Sequence, residues 1–237
     1  MQFDLEIVIP VFHEEGNILK TLKKILEKVK LNYRIIVVYD YSEDPTIKVI
    51  KDNFSEKKIF LLKNKYRGFN GAIKSAYEIV NSNAVLLYPA DDHENFDLIE
   101  VMNNKFNEGF DVVCASRFMD GGQYTGAPLI KRILVKLVSF TLSNFTSLQT
   151  RDATNGFRLF SYKIIKEFNI ESVRGFTFSI ELLAKAHRYG YKITEIPATW
   201  LEREKGKSRF KLISFIFPYT KWLFYIIKTS IFYRNAK

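Results

Sequence analysis

Acidic side chains gather at three points of the sequence, each just after a short apolar run. Glu14, Asp40 and Asp91 each lie within three residues of the end of such a run. A turn would account for any one of these groups, because Asp and Asn favour turns. Three groups that meet at one edge of a sheet can instead bind a hard cation such as Mg²⁺ or Mn²⁺, and through it a diphosphate. Carboxylates there can also accept hydrogen bonds from a base or a ribose.

The elements that must position these groups alternate between strand and helix patterns. Apolar runs predict strands, and apolar residues spaced three or four apart predict helices. The strands are predicted at residues 5–11, 33–40, 58–62, 84–88 and 111–115, and the helices at 15–30, 45–54, 69–81 and 96–106. This alternation predicts an α/β fold, a Rossmann-like and mostly parallel sheet with helices on both faces. Such sheets bind ligands beyond the carboxyl ends of their strands.

The second half of the chain has a different pattern. Residues 128–147 form a long apolar-rich stretch, 178–189 read as a helix that ends at Gly190, and 192–200 read as a strand. With 237 residues, of which 47% are apolar, the chain can bury the core of one full domain. The simplest division is a catalytic domain over residues 1–210 and a tail over 211–237.

The tail is basic and aromatic. Nine Lys or Arg residues and one Glu lie between Arg203 and Lys237, so most of the net charge of +10 is located there. Lys221 and Lys228 interrupt the apolar residues, and a spanning helix needs about 20 of them in a row. The pattern favours an amphipathic helix that lies in a membrane interface, with its lysines toward the headgroups. A terminal helix that packs on the core is the alternative. The chain has no nucleic-acid-binding motif, so the charge is not assigned to nucleic acid.

Eight segments in a fixed order resemble the GT-A glycosyltransferases of family 2, in particular the polyprenyl (dolichyl) phosphate mannose and glucose synthases. The segments are Pro10-Val-Phe-His-Glu14, Val38-Tyr-Asp-Tyr-Ser42, Arg67-Gly-Phe-Asn-Gly-Ala72, Pro89-Ala-Asp91, Ala115-Ser-Arg-Phe118, Asp152-Ala-Thr-Asn-Gly-Phe-Arg158, Gly175-Phe-Thr-Phe-Ser-Ile-Glu181 and Arg203-Glu-Lys-Gly-Lys-Ser-Arg-Phe210. Each motif is weak alone, but together they run over most of the chain.

The resemblance implies a role for individual side chains. A nucleotide-sugar would be bound by Pro10, Phe12, Glu14, Val38, Asp40, Arg67, Gly68, Ala90, Asp91, Arg203 and Arg209. One divalent cation, Mg²⁺ or Mn²⁺, would be bound by Asp91 and His93, although His93 is equally compatible with a helix start. The catalytic residues would be Asp91, Asp152, Glu181 and Arg203, and the acceptor phosphate would be bound by Arg117 and Arg132.

Two positions depart from the family pattern. Pro89 stands where the family has the first Asp of its metal motif, and Tyr39 stands where Asp is common. Asp92 does not replace the lost ligand, because neighbouring side chains of an extended segment point in opposite directions. Cation binding is therefore expected to be weak, and a non-catalytic protein that binds nucleotide-sugars remains an alternative.

Together the residues and the resemblance predict an inverting transfer of a sugar from a UDP- or GDP-linked donor. The tail favours a membrane-bound acceptor, with polyprenyl phosphate first. A transferase that extends a cell-surface glycan, such as capsule or O-antigen, is the alternative. Because the first 11 residues read as a strand and not as a secretory signal, we expect an intracellular protein on the cytoplasmic face of a membrane.

Overall fold

The computed structural model describes residues 3–55, 57–173, 175–201 and 212–233, and the side chains of the last helix from Pro218 onward. The strands are β1 Phe3–Val11, β2 Tyr33–Tyr39, β3 Ile59–Lys63, β4 Ser82–Leu87, β5 Val112–Ser116, β6 Gln123–Thr125, β7 Arg158–Ser161, β8 Ile193–Pro197 and β9 Thr199–Leu201. The helices are α1 Ile18–Lys28, α2 Pro45–Asn53, α3 Gly68–Ile79, α4 Leu98–Asn107, α5 Leu129–Phe145, α6 Tyr162–Glu167, α7 Thr177–Arg188 and α8 Leu212–Phe232.

Seven strands form one sheet in the order β3-β2-β1-β4-β7-β5-β8. All neighbouring strands are parallel except β7, which runs antiparallel to both β4 and β5. Strands β6 and β9 form a separate two-stranded parallel sheet. The predicted α/β fold with a mostly parallel sheet is confirmed, and the first five predicted strands are β1 to β5.

Helices cover both faces of this sheet. One buried apolar cluster contains side chains of α1, α2 and α4, and the other contains side chains of α3, α6, α7 and α8. The local signals for α2 also hold, because Asp44 caps this helix by accepting a hydrogen bond from the Thr46 amide at 2.9 Å, with Pro45 at the first helical position. Gly190 has the positive φ of 73° that ends α7.

Two features of the second half differ from the sequence prediction. Strand β7 is only four residues long and begins with Arg158, so its pattern did not read as a strand. The predicted strand over 192–200 is two strands, β8 and β9, which separate at Ala198 and belong to different sheets.

The tail forms helix α8, and it packs along α7. Trp222 and Ile226 are buried in the core cluster, and His187 of α7 lies 3.1 Å from the Ser230 hydroxyl. Phe224 and Ile231 face outward, and helical spacing places Lys221 and Lys228 on that same outward face. Helix α8 therefore packs on the core, which was the alternative, and its contact with a membrane interface stays a prediction. None of the helices in the described part of the chain has the length and hydrophobicity that crossing a bilayer requires.

Candidate active site

The three acidic loops meet at one edge of the large sheet, as the sequence predicts. In the parallel register, Pro10 of β1 lies opposite Val38 of β2 and Val11 opposite Tyr39. On the other side of β1, the amide of Tyr88, just past β4, donates to the Val8 carbonyl at 3.0 Å. The loops that carry Glu14, Asp40 and Asp91 therefore leave adjacent strands in the same direction.

Asp40 holds the start of helix α3. Its two carboxylate oxygens accept hydrogen bonds from the Asn64 side-chain amide at 2.6 Å and from the Gly68 backbone amide at 2.8 Å. Arg67 and Gly68 both have positive φ, 58° and 71°, a conformation that glycine adopts easily and arginine does not. The Arg67 guanidinium lies 5.9 Å above the Tyr41 ring. Asp40 thus joins β2 to α3 at the edge where a nucleoside would bind.

The loop after β1 is fastened to the start of helix α2. The His13 amide donates to Asp44 at 2.9 Å, and the Glu14 amide donates to the Thr46 hydroxyl at 2.8 Å. Burial raises the pKa of Asp44, but hydrogen bonds from Thr46 and His13 outweigh it and hold the pKa of this carboxyl below its usual value. Phe12 is 40% exposed beside this loop, with its ring 6.4 Å from that of Tyr41. The two rings are tilted by 59° to each other, and each offers an aromatic face that a base can contact.

The turn after β4 carries the predicted cation ligands. It is held by the Thr21 hydroxyl of α1, which donates to the Ala90 carbonyl at 2.7 Å. Asp91 is half-buried, and the His93 Nε2 atom is buried without a hydrogen-bond partner among the described residues. An unpaired imidazole nitrogen two positions from Asp91 in the same turn is compatible with a divalent cation, because either the ion or a hydrogen bond must compensate its desolvation.

Asp92 takes no part in this ligand set, as expected from its position next to Asp91. Its carboxylate accepts hydrogen bonds from the Glu94 and Asn95 amides at 3.0 and 3.1 Å and from the Asn95 side chain at 2.7 Å. The side chain is buried, and burial raises the pKa of its carboxyl. Asp92 therefore stabilises the turn that presents Asp91 and His93.

A second group of possible cation ligands lies on the neighbouring loops. Ligand atoms of His13, Glu15 and Asp44 all lie within 4.8 Å of one another. The sequence did not reveal this group, because its members come from two loops that only the fold brings together. The Asp44 carboxylate already accepts hydrogen bonds from the amides of Thr46 and His13. A cation at this place would therefore depend mainly on the side chains of His13 and Glu15.

Asp152 and Arg117, for which the resemblance implies separate roles, form a buried ion pair. The Arg117 Nε and Nη2 atoms donate to the two Asp152 oxygens at 2.6 and 2.8 Å. The Arg117 side chain is 9% exposed and that of Asp152 is fully buried. Burial raises the pKa of Asp152, but the adjacent guanidinium outweighs it and holds the pKa below its usual value. A paired carboxylate of low pKa is a poor general base, and the bonded edge of Arg117 is not open to a phosphate.

Arg158 supports this pair from behind. It is fully buried, and its guanidinium donates to the Asp152 carbonyl at 3.0 Å and to the Ser179 carbonyl at 2.8 Å. The motif from Asp152 to Arg158 points to Arg158 as a notable residue. The sequence alone does not distinguish a buried structural arginine from an arginine that binds a ligand.

Glu181 is also a structural group in this fold. It is fully buried in α7 and accepts hydrogen bonds from the amides of Glu171 and Ser172 at 2.7 and 2.8 Å and from Lys185 at 2.7 Å. These bonds fix the segment before α7, and the catalytic role implied for Glu181 stays a prediction. Arg132 lies in α5, where its amide donates to the Pro128 carbonyl. Arg203 and Arg209 lie outside the described residues.

The family model of glycosyl transferase family 2 matches residues 6–168, which include all three loops at the sheet edge and the Arg117–Asp152 pair. The chain belongs to this family. The match ends just after α6, so α7 and α8 lie beyond it.

Similar sequences occur in several organisms. A protein of unassigned function from Methanocaldococcus jannaschii is 30% identical over 216 residues, which cover 87% of this chain and 85% of that protein. An uncharacterized glycosyltransferase of Synechocystis is 29% identical over 170 residues. A dolichol-phosphate mannosyltransferase of Pyrococcus furiosus is 22% identical over 228 residues. The chain spans 52% of the length of the Synechocystis protein and 64% of the Pyrococcus protein.

Solved structures share the fold of this family 2 chain. Glucosyl-3-phosphoglycerate synthase from Mycobacterium tuberculosis, in complex with UDP, superposes with a TM-score of 0.68 at 14% identity, covering 96% of this chain and 80% of that one. The same enzyme has been solved with Mn²⁺, UDP and glucosyl-3-phosphoglycerate, and with Mg²⁺ and UDP. The likeness confirms the GT-A fold, and the cations in these complexes agree with the Mg²⁺ or Mn²⁺ expected from the sequence.

Proposed function

We propose that this protein transfers a sugar from a nucleotide-sugar, with a UDP-linked donor first, to an acceptor that carries a phosphate. One observation carries the proposal: in a family 2 domain, the loops with Asp40 and Asp91 leave the two parallel strands that flank β1, at the same sheet edge. UDP is favoured because the solved structures of this fold hold UDP, and GDP remains the alternative.

The donor would lie across this edge. Asp40 and the rings of Phe12 and Tyr41 suit the nucleoside, since the carboxylate can accept hydrogen bonds while the rings contact the base. Asp91 and His93 would hold the divalent cation, which when bound neutralises negative charge on the diphosphate. Arg203 and Arg209 are proposed to add positive charge as the nucleoside diphosphate leaves.

The reaction is an in-line displacement. An acceptor oxygen forms a bond to the anomeric carbon, the bond from that carbon to the diphosphate breaks, and the nucleoside diphosphate leaves with the electron pair. A phosphate oxygen is already ionised at neutral pH, so it needs no general base. Asp152 and Glu181 are both committed to internal partners, which supports an acceptor of this kind. Catalysis would then depend on positioning and on neutralisation of charge.

Polyprenyl phosphate is the acceptor that the surface supports best. Helix α5 turns five large apolar side chains outward, each between 55 and 68% exposed: Leu129, Ile130, Ile133, Leu137 and Phe140. Helix α8, which touches α5, adds Phe224, Ile231 and Phe232. The chain has no Asp or Glu between Gly121 and Arg151 or after Glu204, so the charged residues of these two helices are basic, and one of them, Lys221, pairs with Glu171. A surface that is both apolar and basic fits an anionic membrane, where a lipid phosphate would be presented.

A soluble phosphorylated acceptor is the second candidate. The solved glucosyl-3-phosphoglycerate synthase has been captured with phosphoglyceric acid. A small acceptor of this type would need no membrane, and it would leave the outward faces of α5 and α8 without a role in the reaction.

One assay separates these acceptors. The purified protein is incubated with Mn²⁺ and radiolabelled UDP- or GDP-sugars, with polyprenyl phosphate in liposomes in one arm and 3-phosphoglycerate in the other. We expect label in the lipid fraction. Label only in the water-soluble product would favour the second candidate, and release of free sugar alone, with no product in either arm, would argue against both.

A further inference from the structure

Asn70 stands out among the buried polar residues next to the proposed donor site. It is 5% exposed, and neither its side-chain oxygen nor its nitrogen has a hydrogen-bond partner among the described residues. Three other buried asparagines, Asn64, Asn95 and Asn155, all make side-chain hydrogen bonds. A buried amide that lacks partners costs free energy, so its retention calls for an explanation.

Asn70 lies at the end of α3 that is nearest the Asp40 loop. It lies in the first turn of α3, two residues after Gly68, whose amide is bonded to Asp40 at the end of β2. On its other side, the Phe69 ring lies 4.2 Å from that of Phe176. Phe176 in turn covers Gly156 and borders Leu87, the last residue of β4. The first turn of α3 therefore extends from the Asp40 loop toward β4, the strand that precedes the Asp91 turn.

The first turn of α3 is packed closely against the loop before it. A Cβ atom at Gly71 would lie 2.9 Å from Tyr66, so the backbone of α3 is pressed against the preceding loop. That loop is fixed in turn by Asn64, which donates to the Gly68 carbonyl at 3.0 Å as well as to Asp40. Asn70 is thus held in place by neighbours that make no hydrogen bond with its side chain.

The chemistry of the side chain selects its ligand. A carboxamide offers one acceptor oxygen and two N–H donors, and both kinds are unpaired in Asn70. A diphosphate accepts hydrogen bonds and would leave the Asn70 oxygen unpaired. A sugar hydroxyl both donates and accepts, so vicinal hydroxyl groups can satisfy both ends of the amide. We propose that Asn70 hydrogen-bonds the hydroxyl groups of the transferred sugar and contributes to donor selection. This inference rests on the proposed function.

The test compares Asn70→Leu with the wild-type protein. Leucine keeps the branched shape of the side chain, although it is somewhat larger, and removes both polar groups, so the melting temperature without ligand should be close to or above that of the wild type. Binding is measured by calorimetry with UDP and UDP-glucose, and with GDP and GDP-mannose. The affinity for the nucleotide should be unchanged, while the affinity for the nucleotide-sugar should fall by about tenfold, the value of one to two hydrogen bonds.

Asn95→Leu is the matched control for stability. Asn95 is equally buried, but it donates to Asp92 and to the Thr199 carbonyl, so its replacement should lower the melting temperature. If Asn70→Leu lowers it to the same extent, Asn70 has internal partners and the inference is wrong. An equal loss of nucleotide and nucleotide-sugar affinity would also overturn it, since the contact would not be with the sugar. A wild-type protein that binds none of the four ligands would overturn the proposed function itself.

Discussion

At the scale of single residues, the Arg117–Asp152 pair and Arg158 form a buried cluster with two guanidinium groups and one carboxylate. Arg117 bonds both Asp152 oxygens, and Arg158 lies on the backbone side of Asp152. Loss of the carboxylate leaves two buried cations, whereas loss of Arg117 leaves Asp152 still near Arg158. The two partners are therefore not equivalent in their effect on stability.

We expect Asp152→Asn to lower the free energy of unfolding by about 3–5 kcal/mol, the usual cost of breaking a buried pair. Arg117→Met should cost less, and the double variant should cost less than the sum of the two. Urea denaturation of the four proteins gives these values as a double-mutant cycle. Because the pKa of Asp152 is lowered on folding, its contribution is present above about pH 4, its unfolded pKa, and is lost as the pH falls through the folded pKa. Additive effects of the two substitutions would contradict the pairing.

The cation site can be assigned by three neighbouring substitutions. The wild-type protein should show a larger thermal shift with UDP and Mn²⁺ than with UDP and EDTA. Asp91→Asn should abolish this Mn²⁺-dependent increment, because it removes the carboxylate that is proposed as a cation ligand. Asp92→Asn should retain the increment at a lower melting temperature, since Asp92 only holds the turn.

Glu15→Gln completes the set. If it removes the increment and Asp91→Asn does not, the cation is bound by the group of His13, Glu15 and Asp44, and the assignment to the turn after β4 is wrong.

At the scale of elements, the helices and strands that could be predicted from the sequence are those with a local pattern of their own. Strands β1 to β5 and helices α1 to α4 were predictable because each carries its own apolar periodicity, and so was the meeting of their acidic loops. Strand β7 was not, because its four residues begin with a buried arginine whose partners lie elsewhere in the chain. The pairing of Asp152 with Arg117 was missed for the same reason: 35 positions separate the two residues in sequence.

A partly buried histidine lies at the contact between α7 and α8. His187 lies 3.1 Å from the Ser230 hydroxyl, and burial lowers the pKa of its imidazole. The unfolded chain therefore takes up a proton before the folded chain does as the pH falls. Stability should be full above about pH 6.5, the unfolded pKa, and should decline from there down to the folded pKa.

His187→Gln, which cannot titrate, should remove this decline between pH 7 and pH 5 in urea denaturation experiments. The neighbouring cation Arg188 lies over the Tyr233 ring and the ion pair of Lys185 with Glu181 sits one turn earlier, so both contribute charge at this contact. Ser230→Ala serves as the control, because it removes the hydrogen bond but leaves the imidazole. If the decline persists in His187→Gln, another group is responsible.

At the scale of the whole molecule, the apolar and basic surface of α5 and α8 lies on one side of the sheet. The two helices contact each other. Only Ser139 and Leu142 of α5 are buried in the described structure, so most of this helix faces outward. Exposed contiguous apolar surfaces of this kind commonly mark a site of association. The division into a domain over 1–210 and a membrane tail over 211–237 remains a prediction, and the outward face of α5 extends the same surface into the domain.

The double variant Ile133→Ser/Leu137→Ser tests this surface directly. Both side chains are more than half exposed, so the melting temperature should change little. In cosedimentation with liposomes that contain phosphatidylglycerol, the variant should bind about tenfold more weakly than the wild type, because two apolar contacts with the bilayer are lost. Val101→Ser, which changes an exposed apolar residue of α4 on the opposite face of the sheet, should bind like the wild type.

Binding of the wild type should also weaken as salt is raised and be lower on neutral liposomes, since basic residues contribute to it. Equal binding by the double variant and the wild type would show that α5 does not touch the membrane. If none of the three proteins binds liposomes, the soluble acceptor is favoured.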